Sequence, residues 1–182
     1  MPAGDLVRQT RVLAGELRDR LARRRDPVAF ARSRGATIGE RCRLIDCDFG
    51  SEPYLVTLGD HVSATSTSFM THDGGVWVFR DRWPDADVFA PITVGSNVFF
   101  GAGVLVLPGV TIGDDVVVGA GSVVSRDLPS GCVAVGSPAR PIHSLDEYRA
   151  SLEHRWVPTK PLDPAAKREY LLRHPPTPQR RP

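Results

Sequence analysis

From Val94 onward every sixth residue is large and apolar: Val94, Phe100, Val106, Ile112, Val118 and Val124. A second series, Val98, Val104, Val110, Val116 and Ser122, is branched or small. Gly95, Gly101, Gly113 and Gly119 each directly follow a member of the first series. Neither a 3.6-residue helix nor a period-two strand produces this register. A hexad repeat predicts short strands and turns wound into stacked coils, a parallel β-helix. The apolar residue of each hexad points inward. The glycine after it serves a corner that needs positive φ or close backbone approach.

The same register predicts a solenoid over residues 36–142. It opens at Ile38-Gly39 and Leu44, breaks at Asp48–Tyr54, and resumes at Leu58-Gly59, Ala64 and Met70. It stops over 73–91, a stretch holding Gly74-Gly75, Trp77, Phe79, Trp83 and Pro84. A long insertion in a repeat array is a loop on one face, often the binding face. Before the coils, Leu6, Leu13, Leu17 and Leu21 share one helical face among arginines. The segment 1–35 therefore reads as an amphipathic helical cover for the end of the coils; contact with an anionic membrane surface is the alternative. After the coils, Ser144 and Glu147 form a capping-box pattern, and Asp163-Pro164 marks a second helix start. Residues 143–173 read as helices, and 174–182 as a disordered tail.

The chain has 182 residues and a net charge of +2, which gives no reason to invoke nucleic acid. No apolar run is long enough to span a bilayer, and no signal-peptide pattern opens the chain. Cys42, Cys47 and Cys132 form an odd set without ligand spacing, so no metal site is expected; Cys42 and Cys47, at repeat positions, read as small buried hydrophobes, and the usage fits a cytoplasmic protein.

The stretch "LPGVTIGDDVVVGAGSVV" followed by "DLPSGCVAVGSPARPI" resembles the hexapeptide-repeat acyltransferases. "FGSEPYLVTLGDHV", "FMTHDGGVWVFR" and "TKPLDPAAKREYL" are similar to bacterial sugar and polysaccharide O-acetyltransferases. The resemblance implies a left-handed parallel β-helix of triangular section, against the usual right-handed crossover. It also implies a homotrimer with active sites between subunits, and acetyl-CoA as co-substrate.

A lone histidine is more often structural than catalytic, but His72 sits at the mouth of the inserted loop. The resemblance makes it the general base, with Asp73, Glu52 or a backbone carbonyl holding its other ring nitrogen. The base would take a proton from an acceptor hydroxyl as that oxygen attacks the thioester. No nucleophilic cysteine is needed. By the same resemblance, Gly101-Ala102 and Gly119-Ala120 line the pantetheine arm, Ser125-Arg126-Asp127 lies at the nucleotide end, and Arg140 meets phosphate. Where the pattern has a further basic residue, this chain has His143. Trp77, Phe79 and Trp83 can stack on a sugar or pin the loop, and Arg80, Arg82, Asp85 and Asp87 are available for hydroxyls. The expected function is O-acetyl transfer to a sugar-type acceptor. N-acyl transfer to an amino or nucleotide sugar is the enzymatic alternative, and a non-catalytic scaffold is the alternative from another class.

Overall fold

The computed structural model describes residues 17–175. Leu6 and Leu13, and the end of the expected tail, lie outside them. Within the first compact unit, Met1–Leu145, residues 17–25 form helix α1 and Pro27–Ser33 helix α2. The described part of the helical segment read over 1–35 is thus two helices. Asp26 interrupts it, accepting from the backbone N–H of Ala29 with Pro27 at the first helical turn.

The coils form three sheets, parallel except where the last strand joins sheet B. Sheet A contains β1 (Thr37–Ile38), β3 (Val56–Leu58), β6 (Ile92–Val94) and β9 (Thr111–Ile112). Sheet B contains β2 (Arg43–Ile45), β4 (Ser63–Thr65), β7 (Val98–Phe100), β10 (Val116–Val118), β12 (Cys132–Gly136) and β13 (Ala139–Ser144). Sheet C contains β5 (Ser68–Phe69), β8 (Leu105–Val106) and β11 (Val123–Val124). Successive strands in the chain move from sheet to sheet, and each pairs with its equivalent one coil away, as Val98 does with Val116.

Both hexad series point inward. Phe100, Val106, Val118 and Val124 are buried, and so are Val98, Val104, Val116 and Ser122. The interior is therefore a column of apolar, mostly branched side chains running through the coils. Near its centre Phe69 stacks on Phe49, with ring centroids 5.1 Å apart, and meets Phe100 edge-on at 5.6 Å.

The structure corrects the early register. Met70, expected inside, is 36% exposed, and Phe69 occupies the interior position. The corner at Thr65–Thr67 is one residue shorter than that at Gly101–Val104, so the sixth-residue count slips.

The role of the hexad glycines is also narrower than expected. A Cβ on Gly95 would lie 2.8 Å from the carbonyl carbon of Gly113 in the next coil. Close stacking excludes a side chain there. Positive φ falls two residues later, at Asn97 and Asp115, residue types that tolerate the left-handed region. The same corner carries a ladder of side-chain acceptors. Asp60 takes the N–H of Glu40, Ser96 that of Asp60, Asp114 that of Ser96, and Ser130 that of Asp114. Backbone groups that the turn leaves over are thus satisfied coil by coil.

Both ends of the array are covered. At the first coil Arg32 donates to the carbonyls of Ile38 and Gly39, blunting the open strand edge. At the last coil the chain reverses at Ser137-Pro138, and β13 runs antiparallel along β12, with Arg140 opposite Val135. This antiparallel finish is absent from the hexad pattern.

In the second unit, Asp146–Pro182, the chain continues α3 (Leu145–Glu153). Helix α4 (Pro164–Arg173) begins where Asp163 accepts from the N–H groups of Ala165 and Ala166. No helix among the described residues is long and apolar enough to cross a membrane.

Candidate active site

The inserted stretch leaves the coil after β5 and re-enters at β6. Its neck is a short antiparallel pair. The N–H of Ala90 donates to the Thr71 carbonyl, and that of Asp73 to the Val88 carbonyl, both at 2.9 Å. His72 is the residue held between these bonds, opposite Phe89. Its backbone is fixed on both sides while its side chain remains 40% exposed.

The His72 imidazole meets Glu52, with Nδ1 3.1 Å from Oε2. Glu52 comes from "GSEPY", the segment that interrupts the first hexad series, and stands at the start of a 3-10 turn, Pro53–Leu55. Its side chain is only 14% exposed. Thr71, fully buried, donates its hydroxyl to the same oxygen at 3.1 Å. Burial pushes the Glu52 carboxyl up, but hydrogen bonds from Ser51, His72 and Thr71 outweigh it and hold the group below the usual carboxylate range. An ionised carboxylate only accepts, so Nδ1 carries a proton, and in the neutral imidazole Nε2 keeps the lone pair. That is the tautomer a proton acceptor requires.

Asp73 does not share this role. Its carboxylate accepts from the Gly75 N–H at 2.8 Å and caps the 3-10 turn Gly74–Phe79. Of the two proposed orienting carboxylates, only Glu52 touches the imidazole.

A cavity of about 330 Å³ opens at His72. Ser51, Glu52, Asp73, Trp77, Arg80, Asp87 and Phe89 are among its lining residues. Trp77 faces this space and is 77% exposed. Phe79 and Trp83 are not part of the lining; they pack edge to face at 6.1 Å, with Arg82 over the Trp83 ring. Ser51, Thr71 and Phe89 escaped the sequence reading, and only their adjacency to Glu52, His72 and the loop's return could have signalled them. A second cavity, of about 210 Å³, lies beside α2 and is lined by Phe30, Cys47 and Phe49 among others; it contains no histidine. His61 is engaged elsewhere, its Nδ1 2.8 Å from Asn97 Oδ1.

The expected co-substrate residues lie away from this cavity's lining. Ala102 and Ala120 are exposed one coil apart, linked by the Gly121 N–H donating to the Ala102 carbonyl at 2.9 Å. Gly101 and Gly119 precede them, and a Cβ on Gly101 would lie 2.4 Å from the Ala120 nitrogen. Ser125 and Arg126 are exposed, whereas Asp127 accepts from the Thr111 N–H. Arg140 is exposed and spends one N–H on the Ala139 carbonyl.

Residues 91–126 match the family described as bacterial transferase hexapeptide (six repeats). Protein CapG of Staphylococcus aureus is 47% identical over 145 residues, covering 78% of this chain and 84% of that protein. Galactoside O-acetyltransferase of Escherichia coli K12 is 38% identical over 97 residues, 53% of this chain. The match spans only 47% of the galactoside enzyme's own length. A hexapeptide-repeat acetyltransferase of Vibrio cholerae, solved with acetyl coenzyme A, superposes with a TM-score of 0.53 at 29% identity, over 64% of this chain and 75% of that one. The coils and these matches together define the class: a transferase built on hexapeptide repeats. The chain belongs to this family, and it is an acyltransferase.

Two consequences of the Glu52 contact can be measured. Glu52→Gln lets an amide present its N–H₂ to Nδ1 and permits the other tautomer; with His72 as the base proposed below, kcat should fall at least about tenfold. The acid dependence of stability should also change. A carboxyl whose folded-state pKa is depressed contributes stability above its unfolded value and loses it as pH falls through the folded value. Urea midpoints recorded across the acid range should therefore fall more steeply for the wild type than for Glu52→Gln.

Proposed function

We propose that this chain is an acetyl-CoA-dependent O-acetyltransferase acting on a sugar-type hydroxyl, with His72 as general base. The observation that carries this reading is the Glu52–His72 pair, joined through Nδ1, at the mouth of a cavity in a chain of this family. The acceptor hydroxyl gives its proton to Nε2 while its oxygen attacks the thioester carbonyl. Backbone N–H groups of an adjacent coil stabilise the oxyanion, and the imidazolium returns the proton to the departing thiolate. Direct transfer fits the cysteines: burial pushes the Cys47 and Cys132 thiols up, away from the nucleophilic thiolate.

Acetyl-CoA lies along the column of Gly101-Ala102 and Gly119-Ala120, with Ser125, Arg126 and Arg140 toward the nucleotide. The acetyl-CoA complex of the Vibrio cholerae relative supports this choice of donor. The named activity of the galactoside enzyme supports a sugar hydroxyl as acceptor. The winding is left-handed as in the family, and the protein is a cytoplasmic homotrimer with the site completed by a neighbour. Phe99, on the outer face of sheet B yet 45% exposed, is the kind of apolar surface such a neighbour covers.

The test is a panel of sugars and matched amino sugars with acetyl-CoA, scored by free thiol and by the bond formed. Ester formation on a hydroxyl is expected; preferential amide formation would overturn the reading in favour of N-acyl transfer. Arg140→Ala tests the donor side. Wild type should prefer CoA to dephospho-CoA in calorimetry, and the variant should lose that preference. A preference kept by the variant would move the phosphate contact to another residue.

A further inference from the structure

Among the described residues, the charged side chains bordering the His72 cavity are Glu52, Asp73, Arg80 and Asp87. Arg80 is the one cation among them besides the histidine, and it is already engaged. Its Nη2 lies 2.6 Å from Asp87 Oδ1, and its Nη1 donates to the Pro84 carbonyl at 2.7 Å. Arg80 and Asp87 therefore cancel. Within one protomer, Glu52 and Asp73 stay uncompensated whenever the imidazole is neutral, the state in which it acts as base. Val76, Trp77, Val88 and Phe89 supply an apolar wall to the same space. A negative, aromatic-lined cavity favours the faces and hydroxyls of an uncharged ring and repels a carboxylate.

We propose that the ring entering this cavity is an uncharged sugar, and that Asp87 is a specificity-determining residue that keeps Arg80 from anionic acceptors. The proposal rests on the O-acetyltransferase reading. Asp87 also staples the loop through Arg80, so the two roles must be separated. Asp87→Asn does this, since its side-chain oxygen can still accept from Arg80 while the charge is gone.

The experiment measures binding without turnover. Methyl galactoside and the corresponding methyl uronate are titrated into the protein, without acetyl-CoA, by saturation-transfer NMR. The wild type should bind the neutral probe about tenfold tighter than the anionic one at low salt, and less so at high salt. Asp87→Asn should close most of that gap by strengthening uronate binding. Equal affinity for both probes in the wild type, binding of neither, or an equal loss of both in Asp87→Asn would overturn the proposal. Acetylation is scored separately. A neutral probe that binds selectively but is never acetylated counts against O-transfer and leaves the charge preference standing.

Discussion

His72→Ala should lower kcat by about 10²–10⁴-fold, the range of a general-base contribution, with the fold and the affinity for acetyl-CoA little changed. The side chain contributes little to the coil interior: it is 40% exposed and, among the described residues, its polar contact is with Glu52. Removing it strips no apolar packing from the column of Phe49, Phe69 and Phe100. Glu52 keeps Thr71 and Ser51 as partners, so no carboxylate is left without a donor. Kinetics with saturating acetyl-CoA, beside calorimetry of CoA binding, would separate a chemical defect from a binding one.

The largest expected effect on stability is at Phe69. Phe69→Ala should cost about 3–5 kcal/mol, as for other buried phenylalanines. The ring is 1% exposed and lies between Phe49 and Phe100 in different coils, so its loss leaves a cavity bridging neighbouring turns. Met70→Ala, one residue on, should change stability by no more than about 0.5 kcal/mol, as for surface positions. Urea denaturation of the pair tests the interior register directly. Equal losses at both positions would mean that the coil winds differently from the structure.

That register shows what the hydrophobic pattern can carry. From Val94 to Val124 the hexads are uninterrupted, corner lengths are equal, and counting by six finds the interior. In the second coil the corner at Thr65–Thr67 is one residue shorter, and counting by six lands on Met70. A spacing rule has no means of sensing a turn that loses a residue. The antiparallel β13 was hidden for a related reason: Arg140, Ile142 and Ser144 carry no inward series, because this strand closes an edge instead of adding a coil. The break at Asp26-Pro27, by contrast, was readable. It is the same Asp-Pro start used to place α4.

The candidate site was legible as a histidine at a loop mouth with two carboxylates nearby. Choosing between Asp73 and Glu52 needed three dimensions. Asp73 adjoins the histidine in sequence, yet a carboxylate preceding two glycines caps the turn they begin. Glu52, twenty residues back, is brought to the imidazole by one turn of the coil. The pairing of Arg80 with Asp87 was equally out of reach, since it depends on the path of the loop between them. Those two side chains, read with Arg82 and Asp85 as available for acceptor hydroxyls, pair with each other in the fold.

The most direct test of the account is the single-turnover rate of acetyl transfer by His72→Asn, with acetyl-CoA prebound and the acceptor saturating. Asparagine keeps a polar side chain that can donate to Glu52 but offers no basic nitrogen. The account predicts acetyl-CoA affinity within about threefold of wild type and a transfer rate slower by at least about 10²-fold. A transfer rate close to wild type would contradict it, because the proton would then be leaving the acceptor by a route that does not need His72.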